Sequence, residues 1–346
     1  MRITEKISSV RRPIRATAGK LRHIPVVVAF MAMLAAVLPA SAQSDIQFTQ
    51  YWAVPAYYNP AATGSTDFLR IRGGARLQWV GIENAPKSFL IQADSPLRLF
   101  KKKIGVGLTM MQESLGLFSN MLINAQGSYK LKLFKGELSV GVQVGYYNTK
   151  FKGSEVYIPD GDDYHQPTDP GIPTQDLTGS AVDFSLGAFY THKYFYAGIA
   201  GQHLTSPKVT MSIEGSESTE SQQYETELAR MLYFTGGGNI ALRNTLFEMQ
   251  PSLMVKTDFN TFSAEVTMRA TYNKFITFGL GYRWKDAVSV MVGAEYKNFF
   301  LGYAYDYPTS AISKASSGSH EIVAGYRLKL DFSGKNRNKH RSIRIM

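Results

Sequence analysis

Residues 136–147 read GELSVGVQVGYY, and they alternate without a break. Leu138, Val140, Val142, Val144 and Tyr146 fall on one face; Glu137, Ser139, Gly141, Gln143 and Gly145 fall on the other. A period of two with a single greasy face is the signature of a β-strand that touches an apolar phase on one side only. The pattern returns in 181–191, where Val182, Phe184, Leu186, Ala188 and Tyr190 line up, and again in 262–272 and 275–284. Working outward gives about fourteen such segments: 67–79, 87–94, 103–111, 119–132, 136–151, 180–191, 194–203, 230–243, 247–257, 262–272, 275–284, 287–296, 299–307 and 319–332.

The connections carry a second signal. Counting these segments from the N-terminus, the links after strands 4, 6, 8, 10 and 12 are tight: LFKG, HK, RNT, NK and KN. The long links, 152–179, 204–229 and 308–318, follow only odd strands. Short turns on one side and long loops on the other mark an outer-membrane barrel. The expected fold is therefore all-β: a transmembrane antiparallel up-and-down β-barrel of about fourteen strands, with both termini periplasmic. Alternation alone leaves a soluble sandwich or barrel open, its greasy faces packed inward. Against it stand the missing interdomain linker and the aromatics gathered towards strand ends, such as Tyr190, Tyr272, Trp284, Tyr296 and Tyr307, where interfacial girdles belong.

The net charge of +11 is carried by +6 in residues 1–42 and +5 in 335–346, which leaves 43–334 neutral. A basic nucleic-acid stripe is not supported. Residues 1–42 read as a cleaved signal peptide: a basic leader, the run IPVVVAFMAMLAAVL, and Ala40-Ser41-Ala42 as a small-x-small cleavage site. Arg11-Arg12 resembles a twin-Arg signal, but that route carries folded cargo and a barrel crosses unfolded. The absence of Cys suits an exported chain that needs no disulfides. The expected organisation is a signal peptide (1–42), an irregular periplasmic or plug segment (43–66), the outer-membrane barrel (67–332) and a basic periplasmic tail (333–346).

In 43–66, Pro55 and Pro60 forbid a long helix or a central strand, and Asn59-Pro60 with Gly64 makes a turn. Such a segment either plugs the lumen, docks a periplasmic partner, or is a tucked terminus that seals the barrel. The same stretch carries a family resemblance. Gln47, Phe48, Thr49, Gln50 and Tyr51, then Tyr58, Asn59, Pro60, Ala61 and Gly64, are followed by Gln78, Trp79, Gly81, Ala85, Pro86 and Lys87. Together they resemble the opening signature of the PorP/SprF family, outer-membrane proteins of the type IX secretion system of Bacteroidota. The resemblance implies a non-enzymatic secretion component that binds or anchors cargo at the cell surface, the cargo being adhesins with C-terminal sorting domains, including gliding adhesins. It also implies periplasmic and outer-membrane secretion partners, with Gln50, Tyr51, Tyr58, Asn59, Pro60, Gly64, Gln78, Trp79 and Pro86 as candidate docking residues. A solute-conducting porin and a structural barrel tethering a periplasmic complex are the alternatives.

The presumed lumen face carries Arg70, Arg72, Arg76, Glu265, Arg269, Arg283, Glu295, Asp306, Glu321 and Arg327. Opposite charges inside a barrel pair across strands and stiffen the wall; a polar channel for solute is the other reading. Asp160, Asp162, Asp163 and His165 crowd the loop at 152–179, but their spacing fits no EF-hand, so a solvated loop is expected and no metal or cofactor. No nucleophile elbow or zinc pair accompanies the histidines. His203, near Ser206, is the least implausible catalytic centre in a chain not expected to be an enzyme.

Overall fold

A computed structural model describes residues 45–99, 102–156, 173–213, 224–242 and 245–330. The expected signal peptide, the Asp160–His165 cluster and the basic tail lie outside the described residues. The strands are β1 (Phe68–Leu77), β2 (Lys87–Leu99), β3 (Lys102–Leu115), β4 (Phe118–Leu133), β5 (Gly136–Phe151), β6 (Leu177–Thr191), β7 (Phe195–Gln202), β8 (Lys208–Ile213) and β9 (Tyr224–Glu227). They continue with β10 (Met231–Gly238), β11 (Ile240–Ala241), β12 (Phe247–Thr257), β13 (Phe262–Tyr272), β14 (Ile276–Arg283), β15 (Ala287–Tyr296), β16 (Phe299–Pro308) and β17 (Ser319–Lys329).

Each wall strand pairs antiparallel with its neighbours, and β17 closes on β1 from Phe68↔Lys329 to Leu77↔His320. β10 pairs with β7, so β8 and β9 stand off the ring, and β11 merely prolongs β10. The result is a closed antiparallel barrel of fourteen strands. Closure removes every unpaired edge, the condition for a β-sheet to face lipid. The expected strand at 230–243 is broken at Asn239, where the ladder passes Pro251 of β12, which has no N–H to give. The loop expected at 204–229 is partly folded: β8 and β9 form a hairpin that leans on the first residues of β6 and buries Leu177, Val209 and Met211.

Tight links join β4 to β5, β13 to β14 and β15 to β16 at the mouth where β1 begins and β17 ends. Asn273 and Lys274 both take positive φ, 48° and 55°, as a two-residue type I′ hairpin turn demands. The strand ends joined by the links 152–176, 203–230 and 309–318 all lie at the opposite mouth, which we call the loop mouth; the other is the turn mouth.

The faces settle which phase surrounds the wall. Val140, Val142, Val144 and Tyr146 are exposed, Val144 at 48%, while Ser139 and Gln143 between them are buried, Gln143 at 1%. In β13 Val266 and Met268 point out, while Glu265, Thr267 and Arg269 point in. This is a soluble sandwich turned inside out: the greasy faces form a continuous exterior and the polar faces line the interior. Val144 lies midway along β5, so Val144→Arg is expected to cost about 2–4 kcal/mol in lipid, falling towards zero for the same change near a rim. Folding titrations into liposomes check the depth dependence.

Candidate functional site

The interior is not open. Residues 45–66 enter it as three short helical turns, Tyr51–Ala53, Pro55–Tyr58 and Pro60–Ala62, linked by extended residues. Pro55 and Pro60 each start a turn, where a missing N–H costs nothing. Phe48, Val54, Ala56, Tyr58, Ala61 and Ala62 are essentially solvent-free. Phe48, Val54 and Tyr58 pack with inward-facing Leu90, Met111, Leu122, Met231, Tyr233, Met254 and Val323, and Ala61 and Ala62 with Phe189. The hydrophobic core is thus built between the plug and the wall, a source of burial that a wall with polar inner faces lacks by itself.

Three polar anchors fix the plug. In the first, Thr49 and Gln50 donate their backbone N–H groups to Glu321 at 2.7 and 2.8 Å. Arg76 bridges Asp306 at 2.7 Å and Glu321 at 3.1 Å and donates to the Thr49 hydroxyl. Arg283 joins Glu265 at 2.9 Å to Asp306 at 3.5 Å, and Gln47 donates to Glu265. Within this group the charges alternate, as buried ions must.

The second anchor holds the end of the segment that leads into β1. Asp94 accepts from Arg70 at 2.7 Å and from the Gly64 backbone N–H at 2.8 Å, and Lys130 donates to the Gly64 carbonyl. Gln126 donates to the Ala56 carbonyl, and Ser128 to that of Thr63. Asn59 reaches the wall on its own, donating to the carbonyls of Ala188 and Ile199 at 3.0 and 3.2 Å. Wall glycines make the room for this. A Cβ at Gly187 would strike the Asn59 side chain, and one at Gly141 would strike the Ala61 backbone.

The third anchor holds the start of the plug. Asp45 accepts from Tyr233 at 2.7 Å and lies 3.3 Å from His203, whose other ring nitrogen meets Asp183 at 3.0 Å. Lys256 donates to the Asp45 carbonyl. His203 follows β7 in the link at the loop mouth. Burial pushes its imidazole down, but Asp45 and Asp183 outweigh that and raise it to about 10. Burial likewise pushes the Asp45 carboxyl up from 3.8, and His203 leads the groups that bring it net below that value. A raised His contributes stability that is complete below its ordinary value of 6.5 and is lost as pH climbs through about 10. A lowered Asp loses its contribution as pH falls below 3.8. The anchor is therefore expected to loosen above pH 6.5 and again below 3.8. Proteolysis of the N-terminal segment across pH reads this directly, and His203→Gln should flatten the alkaline limb.

The signature residues divide into two groups. Gln50, Tyr51, Tyr58, Asn59, Pro60 and Gly64 belong to the plug, whereas Gln78, Trp79 and Pro86 belong to the β1–β2 link at the loop mouth. There the Gln78 N–H donates to the Pro86 carbonyl and the Trp79 N–H to the Ser319 hydroxyl. Val80 exchanges backbone hydrogen bonds with Gly318 and Ser317, clasping this link to the β16–β17 link. Of the lumen charges, Arg70, Arg76, Glu265 and Asp306 take part in the anchors, and Arg327 pairs with Glu295. Arg72 and Arg269 instead stack on aromatic rings. Sequence reading missed Asp94, Asp183 and Lys256. Each occupies the inward parity of an otherwise alternating strand, and that was the signal available for them.

A closed sheet with an apolar exterior and a polar interior filled by its own N-terminal segment defines a plugged outer-membrane β-barrel. Residues 40–326 match the model of the type IX secretion system membrane protein PorP/SprF, and the chain belongs to that family. No curated protein matches the chain significantly. Among solved structures it is similar to the toluene transporter TbuX of Ralstonia pickettii, at 12% identity over 81% of this chain and 94% of that one, TM-score 0.47. It is also similar to the translocator domain of the autotransporter NalP from Neisseria meningitidis, at 11% identity over 90% and 100%, TM-score 0.43. A FadL homologue of Pseudomonas aeruginosa shows 8% identity over 79% and 93%, TM-score 0.44.

Proposed function

We propose that this barrel is a non-enzymatic receptor of the type IX system that binds or anchors secreted cargo at the cell surface, with both termini in the periplasm. The observation that carries the reading is the filled lumen. A chain that spends its polar interior on holding a plug supports binding at its rims over conduction of solute. The loop mouth offers ordered surfaces for this: the β8–β9 hairpin over its own apolar cluster, and the clasp of Trp79–Gly81 against Ser317–Ser319. In this reading the C-terminal sorting domain of an adhesin rests on these two elements, and Gln78, Trp79 and Pro86 shape the second. The plug residues of the signature then serve the seal, and the signal peptide delivers the chain to the outer membrane.

The test is affinity capture of the tagged protein from gently solubilised outer membranes, with the bound proteins identified by mass spectrometry. Recovery of a large protein with a C-terminal sorting domain, lost when residues 208–227 are replaced by a short Gly-Ser link, is the expected result. A partner-free barrel would overturn the receptor reading.

A further inference from the structure

Six arginines of the described wall face the lumen. Four have carboxylate partners: Arg70 with Asp94, Arg76 with Asp306 and Glu321, Arg283 with Glu265, and Arg327 with Glu295. Arg72 and Arg269 have none, although Arg269 is only 6% exposed. Both belong to the half of the wall nearer the turn mouth, Arg72 early in β1 and Arg269 late in β13. They flank one pair of rings. The Arg72 guanidinium lies 4.8 Å from the centre of Phe300, Phe300 meets Trp52 of the plug edge to face at 5.6 Å, and the Arg269 guanidinium lies 3.8 Å from Trp52.

Nε and Nη1 of Arg72, Nε of Arg269, the indole N–H of Trp52 and the amide nitrogen of Gln50 are all buried without a hydrogen-bond partner. All five are donors. Gln50 is itself 1% exposed and stands against Gly302, two residues along β16 from Phe300. A buried donor left unpaired costs about 1–3 kcal/mol, and more when charged. Five of them around two cations that no carboxylate pairs with describe a site that lacks its acceptor. Stacking on rings holds each guanidinium flat while leaving its N–H edge to meet a carboxylate.

We propose that the turn mouth binds an acidic peptide segment of a partner protein, whose carboxylates pair with Arg72 and Arg269 while its chain lies across Trp52 and Phe300. A peptide is favoured over a lipid headgroup because these side chains face the interior of the barrel and not its greasy exterior. It is favoured over one small anion because the two cations are separated by two rings, so that each calls for a carboxylate of its own. This inference concerns the mouth opposite the proposed cargo surface and stands whether or not cargo binds there.

Trp52 gives the readout. Trp79→Phe with Trp284→Phe leaves it the sole tryptophan of the full-length barrel in detergent. A capped hexaglutamate peptide is expected to change its fluorescence saturably, at least about tenfold more tightly than capped hexaglutamine. The affinity should fall as salt rises. Arg72→Gln with Arg269→Gln should abolish the difference, and the matching double Lys variant should keep part of it. Equal binding of the two peptides to the otherwise unaltered barrel would overturn the proposal without reliance on any arginine variant. A response to inorganic phosphate alone would overturn it too, reducing the site to one for small ions.

Discussion

Deleting residues 45–66 is expected to turn an electrically silent barrel into a conducting one. Fourteen strands enclose a lumen too wide for their own side chains to fill. Here the space is taken by Phe48, Val54, Tyr57, Tyr58 and Ala61. Without them the inner face is mostly Arg, Asp, Glu, Gln and Ser, with apolar side chains such as Leu90 and Met254 between them, and water and ions enter. In planar bilayers the intact protein should give no stepwise current and the deletion variant clear single-channel steps. Gly187→Leu should produce a weaker version, since its side chain displaces Asn59 from the two wall carbonyls to which Asn59 donates. Steps of the same size from the intact protein would mean that the seal leaks, and would return weight to the porin reading.

The second large effect is on stability. Arg76→Met is expected to cost about 3–5 kcal/mol, because it leaves Asp306 and Glu321 buried with one of their cations gone. Arg283 still faces Asp306, at 3.5 Å, so the loss falls mainly on Glu321, and through it on the two plug amides that Glu321 accepts. Arg76→Lys should recover part of the loss, as a point charge in place of a fork. Lys274→Met breaks a pair with Glu248 at 3.5 Å at the turn rim, where the lysine is exposed, and should change little. Urea midpoints in detergent, read from the gel mobility of folded and unfolded forms, rank the three.

The wall was largely legible in the sequence, because a strand with one lipid face writes its geometry as a period of two. The segment 262–272 alternates in print as it does in space. Where the pattern failed, the cause was local. Pro96 gave no reason to extend the second strand to Leu99, and Pro251 interrupts a ladder seen from the strand opposite it. The β8–β9 hairpin was hidden by a polar sequence whose few apolar residues, Val209 and Met211, matter only once folded over Leu177. The plug was legible as irregular and aromatic, but not its path. That path depends on pairings such as Thr49 with Glu321, which no local spacing announces. The lumen arginines looked equivalent along the chain. Whether each finds a carboxylate is decided by register, as Arg70 opposite Asp94 and Arg72 opposite Gln92 illustrate.

The Glu321 clasp also has a temporal meaning. Its two hydrogen bonds join positions 272 and 271 residues apart, one on the segment before the first wall strand and the other on the strand that closes the wall. Contacts of such sequence separation form late. The N-terminal segment thus has no complete seat until the final strand arrives, and a half-built wall leaves it loose. Insertion of β17 and locking of the plug become one event, so a stalled assembly intermediate is marked by a protease-sensitive N-terminus and a finished barrel by a protected one.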